Sequence, residues 1–449
     1  MLERIGSEGL AHYSYIIGDR NQAAVIDPRR DVERYIEIAE REGMTITDIF
    51  ETHRNEDYVI GSCELRSRTG GKIWHAEKQL DYGYGSLAEE GKTWSIGRLK
   101  LKAMNTPGHT LGSVSYLLHD PDGEPWIIFT GDALFAGDVG RVDFYGEERL
   151  KEMSFKLYDS IFNKILPLGD GIIICPAHGA GSVCGESIAE REWTTIGMER
   201  KRNTKLQVSN KEEFSEKAAE MREYPPYFAT MERLNRNGPG SLSQGEKLKH
   251  MNPEEFQEAA VESLILDVRS NLSFGSAHIP GSISIWLDGV PSFAGWFLTY
   301  DKPVLLVGGD TSKAVTYLRR MGFDNVIGTL SGGMLAWHMS GRKSCSVNTL
   351  TVQELCGIID GDKKPWILDV RSEGELEEKG EIEDAHNIHL TRIPENMHDI
   401  PKDRDIYIFC GSGLRSMTTA SLLKREGWEE LYVVLGGIQG WTSTTCPLK

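Results

Sequence analysis

No stretch of about 18 uninterrupted apolar residues occurs, so nothing in the sequence is expected to span a membrane. A basic excess is also missing. Against 50 Lys and Arg stand 67 Asp and Glu, a formal net charge of −17. That balance excludes a general nucleic-acid binder, whose phosphate contacts need clustered basic residues. Cysteine is sparse: seven residues, at 63, 175, 184, 345, 356, 410 and 446, an odd and unpatterned set that argues against a disulfide scaffold. The opening MLERIGSEGL carries acidic residues and no apolar core, so no secretory signal is expected. The 39% hydrophobic and 26% charged residues that remain are the make-up of an ordinary globular protein. The expectation is a cytoplasmic, multidomain protein with reduced thiols. At roughly 100–200 residues per domain, the 449 residues allow two to four domains.

A repeat orders the C-terminal half. LILDVRSNLSFGSAHIPGSISI (264–285) resembles ILDVRSEGELEEKGEIEDAHNIHL (367–390), and LSGGMLAW (330–337) resembles LGGIQGW (435–441). Asp267 and Asp369 are 102 residues apart, and Trp337 and Trp441 are 104 apart. Each unit opens with an apolar strand ending in Asp-Val-Arg. A second buried strand follows, VLLV at 304–307 or IYIF at 406–409, then a helix ending at a glycine cap, Gly322 or Gly427. Strands alternating with helices imply a parallel sheet in each unit. Upstream, AAVIDP (23–28), Ser113–His119, Trp126–Gly131 and IIICPAHG (172–179) read as strands. Asp31 is placed to cap a helix whose Val32, Tyr35, Ile36 and Ala39 share one face and which Gly43 ends. The polar, Gly/Ser-rich NRNGPGSLSQGEKLK (235–249) reads as a linker. The domains are therefore expected at 1–245, 246–345 and 346–449.

Four N-terminal segments each end an apolar run with a metal-ligating residue type: FETHRNEDYVIG (50–61), NTPGHTLGS (105–113), FTGDALF (129–135) and PAHGAGSVCG (176–185). Singly, Asp132 reads as a turn aspartate and His109 as a turn residue, and isolated histidines such as His12, His75 and His119 read as structural. Imidazoles and carboxylates leaving strand ends in this order converge on one site. The order resembles the metallo-β-lactamase fold, which implies an αββα sandwich. Where that family has HxHxDH, this sequence has His53-Arg-Asn55-Glu-Asp57-Tyr58, so two histidines are replaced by poor zinc ligands. The surviving His53, His109 and Asp132 form a two-imidazole, one-carboxylate set that suits non-haem iron. Within the fold this resembles the persulfide dioxygenases, whose GD-x-LF-x₄-GR-x-DF segment is similar to GDALFAGDVGRVDF (131–144). The resemblance implies one Fe(II) per N-terminal domain on His53, His109 and Asp132. Asp57 and His178 would orient those ligands. Cys184 is either a sulfur relay beside the metal or an inert buried thiol.

In IFCGSGLRSMTTASLL (408–423), Cys410 ends a strand and Arg415 follows five residues on, with a helix from about Ser416. The loop Gly411, Ser412, Gly413 and Leu414 lets backbone N–H groups turn toward the sulfur. Those donors, the helix start and Arg415 all favour an anionic sulfur. This resembles the rhodanese active-site loop; phosphatases with a similar loop usually run one residue longer. The first repeat reaches its helix with a loop about three residues shorter and has Gly308 where the cysteine belongs, so it resembles a catalytically silent rhodanese domain, a spacer or docking surface.

Three modules in this order resemble persulfide dioxygenase–rhodanese fusions. The overall class is α/β: a metallo-β-lactamase sandwich followed by two rhodanese-like domains with parallel sheets. The resemblance implies oxidation of a low-molecular-weight thiol persulfide by dioxygen to sulfite at Fe(II), sulfane-sulfur transfer to or from thiosulfate at Cys410, and a role in sulfide detoxification. It also implies a homo-oligomer, dimer or tetramer, in the cytoplasm. Two alternatives stay open: a metal-dependent thioester hydrolase fused to a sulfurtransferase, and a non-catalytic persulfide-binding carrier or sensor.

Overall fold

The computed structural model describes residues 1–242, 248–361, 364–444 and 446–448. The boundary expected near 245 falls in 243–247, outside the described residues. The chain divides into two compact units, Met1–Gly245 with Arg319–Gly322, and Glu246–Leu318 with Phe323–Lys449.

The first unit has two six-stranded sheets. One runs, in spatial order, Leu2–Ser7, His12–Asp19, Gln22–Ile26, Thr45–Phe50, Lys72–His75 and Ser86–Leu87; the other runs Thr194–Thr195, Ile173–Pro176, Pro125–Gly131, Val114–His119, Leu99–Asn105 and Thr93–Ile96. Leu99–Asn105 shows the period-two logic: Leu99, Leu101 and Ala103 are buried while Lys100 and Lys102 are exposed. The inward residues of both sheets, among them Phe50, Trp94, Tyr116 and Phe129, form one core. Helices cover both outer faces, giving the expected αββα sandwich. The Glu33–Arg41 helix buries Tyr35, Ile38 and Ala39, with Ile36 only half-buried. Asp31 does not cap it: Val32 occupies the cap position without a side-chain bond, and Asp31 pairs with Arg29 at 3.0 Å. The linker reading is also corrected. Asn235–Asn237 finish the Phe228–Asn237 helix, and Asn235 is buried.

The second unit holds two all-parallel five-stranded sheets. Their spatial orders are Lys249–Met251, Val326–Leu330, Val304–Val307, Leu264–Asp267, Ile283–Ser284, and Asn348–Thr351, Leu431–Leu435, Ile406–Phe409, Trp366–Asp369, His386–Asn387. The central strands are buried along their whole length, as a sheet covered on both faces requires. The repeated Asp-Val-Arg is a staple. Arg269 and Arg371 each fork onto the aspartate two residues before, at 2.6 Å, and donate onward to the carbonyl of Ala277 or Gly380. The loop deficit of the first repeat is smaller than expected. Its Thr311–Arg320 helix starts three residues after the strand, against four before Leu414–Arg425. The other two missing residues come out of the helix, ten residues long instead of twelve.

The expectation of reduced thiols fails for one pair. Cys356 and Cys446, 90 residues apart, form a disulfide with their Cα atoms 5.8 Å apart. The C-terminal segment folds back onto the Val352–Ile359 helix, a proximity no local pattern encodes.

Candidate functional site

Four loops at the strand ends of the first unit bring the N-terminal residues together. His53 Nε2 lies 3.5 Å and His109 Nε2 3.4 Å from Asp132 Oδ2. All three residues are buried, and none of these three atoms has a hydrogen-bond partner. Orphaned buried polar atoms are costly, and three converging on one point fit a cation. His53, His109 and Asp132 can thus hold a metal.

The chain fixes each donor. Asp27 accepts from the Thr52 N–H at 2.8 Å and its hydroxyl at 2.7 Å, and Thr52 Oγ1 meets His53 Nδ1 at 2.8 Å, leaving Nε2 for the site. His109 Nδ1 donates to the Arg141 carbonyl at 2.9 Å, which fixes the tautomer with a free Nε2. Two glycines permit this closeness. Gly131 sits at φ +54° with Thr52 Oγ1 2.6 Å from where a Cβ would be, and a Cβ on Gly140 would lie 1.9 Å from the Asp132 carbonyl oxygen. The GR-x-DF segment is therefore a frame. Gly140 admits Asp132, Arg141 holds His109 and forks onto Asp143, and Phe144 meets the His109 ring edge-on at 5.0 Å.

His178 sits between two carboxylates, Nδ1 2.7 Å from Asp132 Oδ1 and Nε2 3.0 Å from Asp57 Oδ2. Burial alone would raise the Asp132 carboxyl, but His178 and His53 hold it well below the usual range. Burial would lower His178, and the two carboxylates push it well above its ordinary value. Burial brings His109 down to about 3, so its imidazole is neutral. Burial also pushes Glu56 up to about 7 against the pull of Arg54.

Cys184 is in the site, not merely near it. Its sulfur lies within 4.8 Å of ligand atoms of His109 and Asp132, and within the same distance of those of Asp57 and His178. Burial and Asp132 push its thiol well above the ordinary cysteine value. Its carbonyl accepts from the Arg141 N–H at 3.1 Å, tying its loop to the frame.

Two residues outside the sequence-based set belong here. His12 packs its ring 4.0 Å from Tyr58 and 5.8 Å from His178, with Nδ1 on Ser7 and Nε2 unpartnered. His12 thus packs beside the site, on Tyr58 and His178. Asn235 donates from Nδ2 to the carbonyls of Asn55 at 2.7 Å and Tyr58 at 2.8 Å, and accepts from the Ile60 N–H at 2.9 Å. It ties together the loop that carries His53. His75 and His119 lie elsewhere; His75 stacks on Tyr82 at 4.2 Å.

In the last domain, Cys410 is buried at the end of Ile406–Phe409, and the Gly413 N–H donates to its sulfur at 3.1 Å. The loop carbonyls are turned away: those of Cys410, Gly411 and Ser412 accept from Ile438, Gln439 and Gly436. Gly437, at φ +47°, makes this possible, since a Cβ there would fall 2.1 Å from the Cys410 carbonyl oxygen. Arg415 does not donate to the sulfur. It forks onto Glu375 with two 2.6 Å bonds, and those bonds hold the Glu375 carboxyl down to about 2. Leu414 begins the helix, two residues earlier than expected. The first repeat seats that helix: the Ser284 N–H donates to Ser421 Oγ at 3.0 Å, and Gly275 leaves room for Met417.

Comparison with known proteins bears on the fold of both units. The metallo-beta-lactamase superfamily profile matches residues 8–178, and the rhodanese-like domain profile matches 248–340 and 351–444. The chain is 30% identical over 212 residues to hydroxyacylglutathione hydrolase GloC of Haemophilus influenzae, covering 42% of this chain and 90% of that protein. It is 32% identical over 173 residues to the mitochondrial persulfide dioxygenase ETHE1 of Bos taurus, covering 37% of this chain but only 63% of that protein. A crystal structure of a metallo-beta-lactamase from Staphylococcus aureus subsp. aureus COL superposes with a TM-score of 0.65 at 30% identity, over 74% of this chain and 98% of that one. The chain belongs to the metallo-β-lactamase superfamily and carries two rhodanese-like domains behind that fold, the make-up of a persulfide dioxygenase–rhodanese fusion.

Proposed function

We propose that this protein oxidises a low-molecular-weight thiol persulfide with dioxygen at one Fe(II) in its N-terminal domain and moves sulfane sulfur at Cys410, in the cytoplasm, as part of sulfide and persulfide detoxification. One observation carries the reading. Three orphaned donors, two imidazoles and one carboxylate, converge, while Asn55 and Tyr58 stand where a dinuclear hydrolase site needs histidines. When bound, iron in such a set offers open positions at which persulfide and dioxygen meet. The net reaction is persulfide plus dioxygen and water giving thiol and sulfite.

The residues have separable tasks. Thr52 and the Arg141 carbonyl hold His53 and His109 with Nε2 unprotonated. His178, charged between Asp57 and Asp132, keeps Asp132 ionised and fixed. Cys184 is the sulfur relay candidate on the same wall. At the second site, Cys410 persulfide gives its outer sulfur to sulfite, forming thiosulfate and the free thiol; the reverse flow uses the same atoms. The Gly413 N–H stabilises the anionic sulfur, and Glu375 keeps Arg415 across the loop. Tethering raises the local concentration of sulfite near Cys410. A homo-oligomer, dimer or tetramer, completes the proposal.

The test is oxygen consumption across a panel of small-thiol persulfides. Cys410→Ser should retain persulfide-dependent oxygen uptake and lose thiosulfate formation; equal loss of both would contradict separate sites. One observation favours a second reading. Asp57, His178 and Cys184 offer a further cluster of ligand atoms within 4.8 Å of one another, and a second ion there would suit thioester hydrolysis, the activity named for the Haemophilus relative.

A further inference from the structure

Glu56 is fully buried in the loop between His53 and Tyr58. Its two carboxylate oxygens have different surroundings. Oε1 accepts twice from Arg54, from Nε at 3.2 Å and Nη2 at 3.0 Å. Arg54 is itself held by Glu232 at 3.1 Å. Oε2 has no hydrogen-bond partner and lies 3.9 Å from His109 Nε2. Ligand atoms of His53, Glu56 and His109 fall within 4.8 Å of one another.

The 3.9 Å between Glu56 Oε2 and His109 Nε2 suits two ligands of one ion. Donors held roughly 2.1 Å from one ion lie about 3.0 Å apart when adjacent and about 4.2 Å apart when opposite in an octahedron. The 3.4, 3.5 and 3.9 Å separations among Asp132, His53, His109 and Glu56 fall within that span. An unpartnered carboxylate oxygen at zero exposure, aimed at unpartnered imidazole nitrogens, calls for a cation between them.

We infer that Glu56 is a fourth protein ligand of the metal held by His53, His109 and Asp132, with Arg54 as its positioning residue. Two neutral imidazoles and two carboxylates neutralise a divalent ion. The anionic persulfide then meets an uncharged centre with two open positions of an octahedron instead of three. The assignment rests on the metal reading above but not on the oxygen chemistry.

The full-length chain loaded with Co(II) tests it without turnover. Glu56→Gln should weaken Co(II) binding at least tenfold in chelator competition and change the visible d–d absorption of the bound ion. Glu56→Asp should restore part of the affinity. The metal-free Glu56→Gln protein should still fold, since Arg54 keeps Glu232 at 3.1 Å and the amide oxygen can still accept from it. Its rise in melting temperature on adding Co(II) should be smaller. Unchanged affinity, or weakened binding with an unchanged spectrum, would overturn the assignment and leave Glu56 a positioning residue at most. A wild-type chain that binds no divalent ion would remove the metal reading itself, and this inference with it.

Discussion

Asn235→Ala tests how the His53 loop is held. The side chain is 1% exposed and makes three bonds to backbone, to Asn55, Tyr58 and Ile60. At a net 0.5–1.5 kcal/mol each, the three are worth about 3 kcal/mol. In a unit spanning Met1–Gly245, each kcal/mol shifts the melting temperature by about 2–4 °C, so a fully global effect is roughly 6–12 °C. If the loss falls instead on loop order, the same 3 kcal/mol lowers metal affinity by about two orders of magnitude. Calorimetry of the metal-free chain and chelator competition on the loaded one divide the effect between these channels. Asn235→Asp should fare no better, because it keeps the acceptor for Ile60 but sets a carboxylate against two carbonyls. A melting shift under about 2 °C together with unchanged affinity would refute the claim that Asn235 shapes the site.

Gly437→Ala should lower sulfur transfer at Cys410 at least tenfold while persulfide-dependent oxygen uptake persists, since its Cβ would meet the Cys410 carbonyl oxygen at 2.1 Å. Gly333→Ala, the matching change in the first repeat with open space around its Cβ, should leave both activities intact; full transfer by Gly437→Ala would contradict the steric argument. Thiol titration in denaturant should find five thiols, rising to seven after reduction. Reduction should cost the last domain about 2–5 kcal/mol, seen as an earlier melting transition, and seven thiols without reductant would contradict the pairing. Arg415 depresses Glu375 from 4.5 to about 2, so their contribution is complete above about pH 5 and is lost as pH falls toward 2. The melting difference between wild type and Glu375→Gln should shrink as pH drops from 5 to 3, and a constant difference would speak against the ion pair.

Local pattern made much of this protein legible. Val304–Val307 and Ile406–Phe409 are all-apolar runs bounded by breakers, and each is a central strand. Gly322 and Gly427 follow the helices at φ +79° and +93°, as left-handed caps. His53, His109, Asp132 and His178 were visible because each ends an apolar run, and strand ends of a sandwich share one edge. Partners chosen by tertiary folding had no such signal. Asn235 reaches the Asn55 carbonyl across 180 residues from within a polar stretch that composition assigns to a linker. Glu375 claims Arg415 from 40 residues away. His12 opens the His12–Asp19 strand, where no ligand motif surrounds it. Glu56 had no signal either, since in His53–Tyr58 it falls at a position where the HxHxDH pattern has no ligand.

The central claim is that the N-terminal site holds one Fe(II) and oxidises persulfide there. Anaerobic purification followed by metal analysis, with oxygen uptake on a small-thiol persulfide in the same preparation, tests it most directly. The expected result is one iron per chain and stoichiometric oxygen consumption with sulfite formed. Two zinc ions per chain, thioester hydrolysis and no oxygen uptake would contradict it.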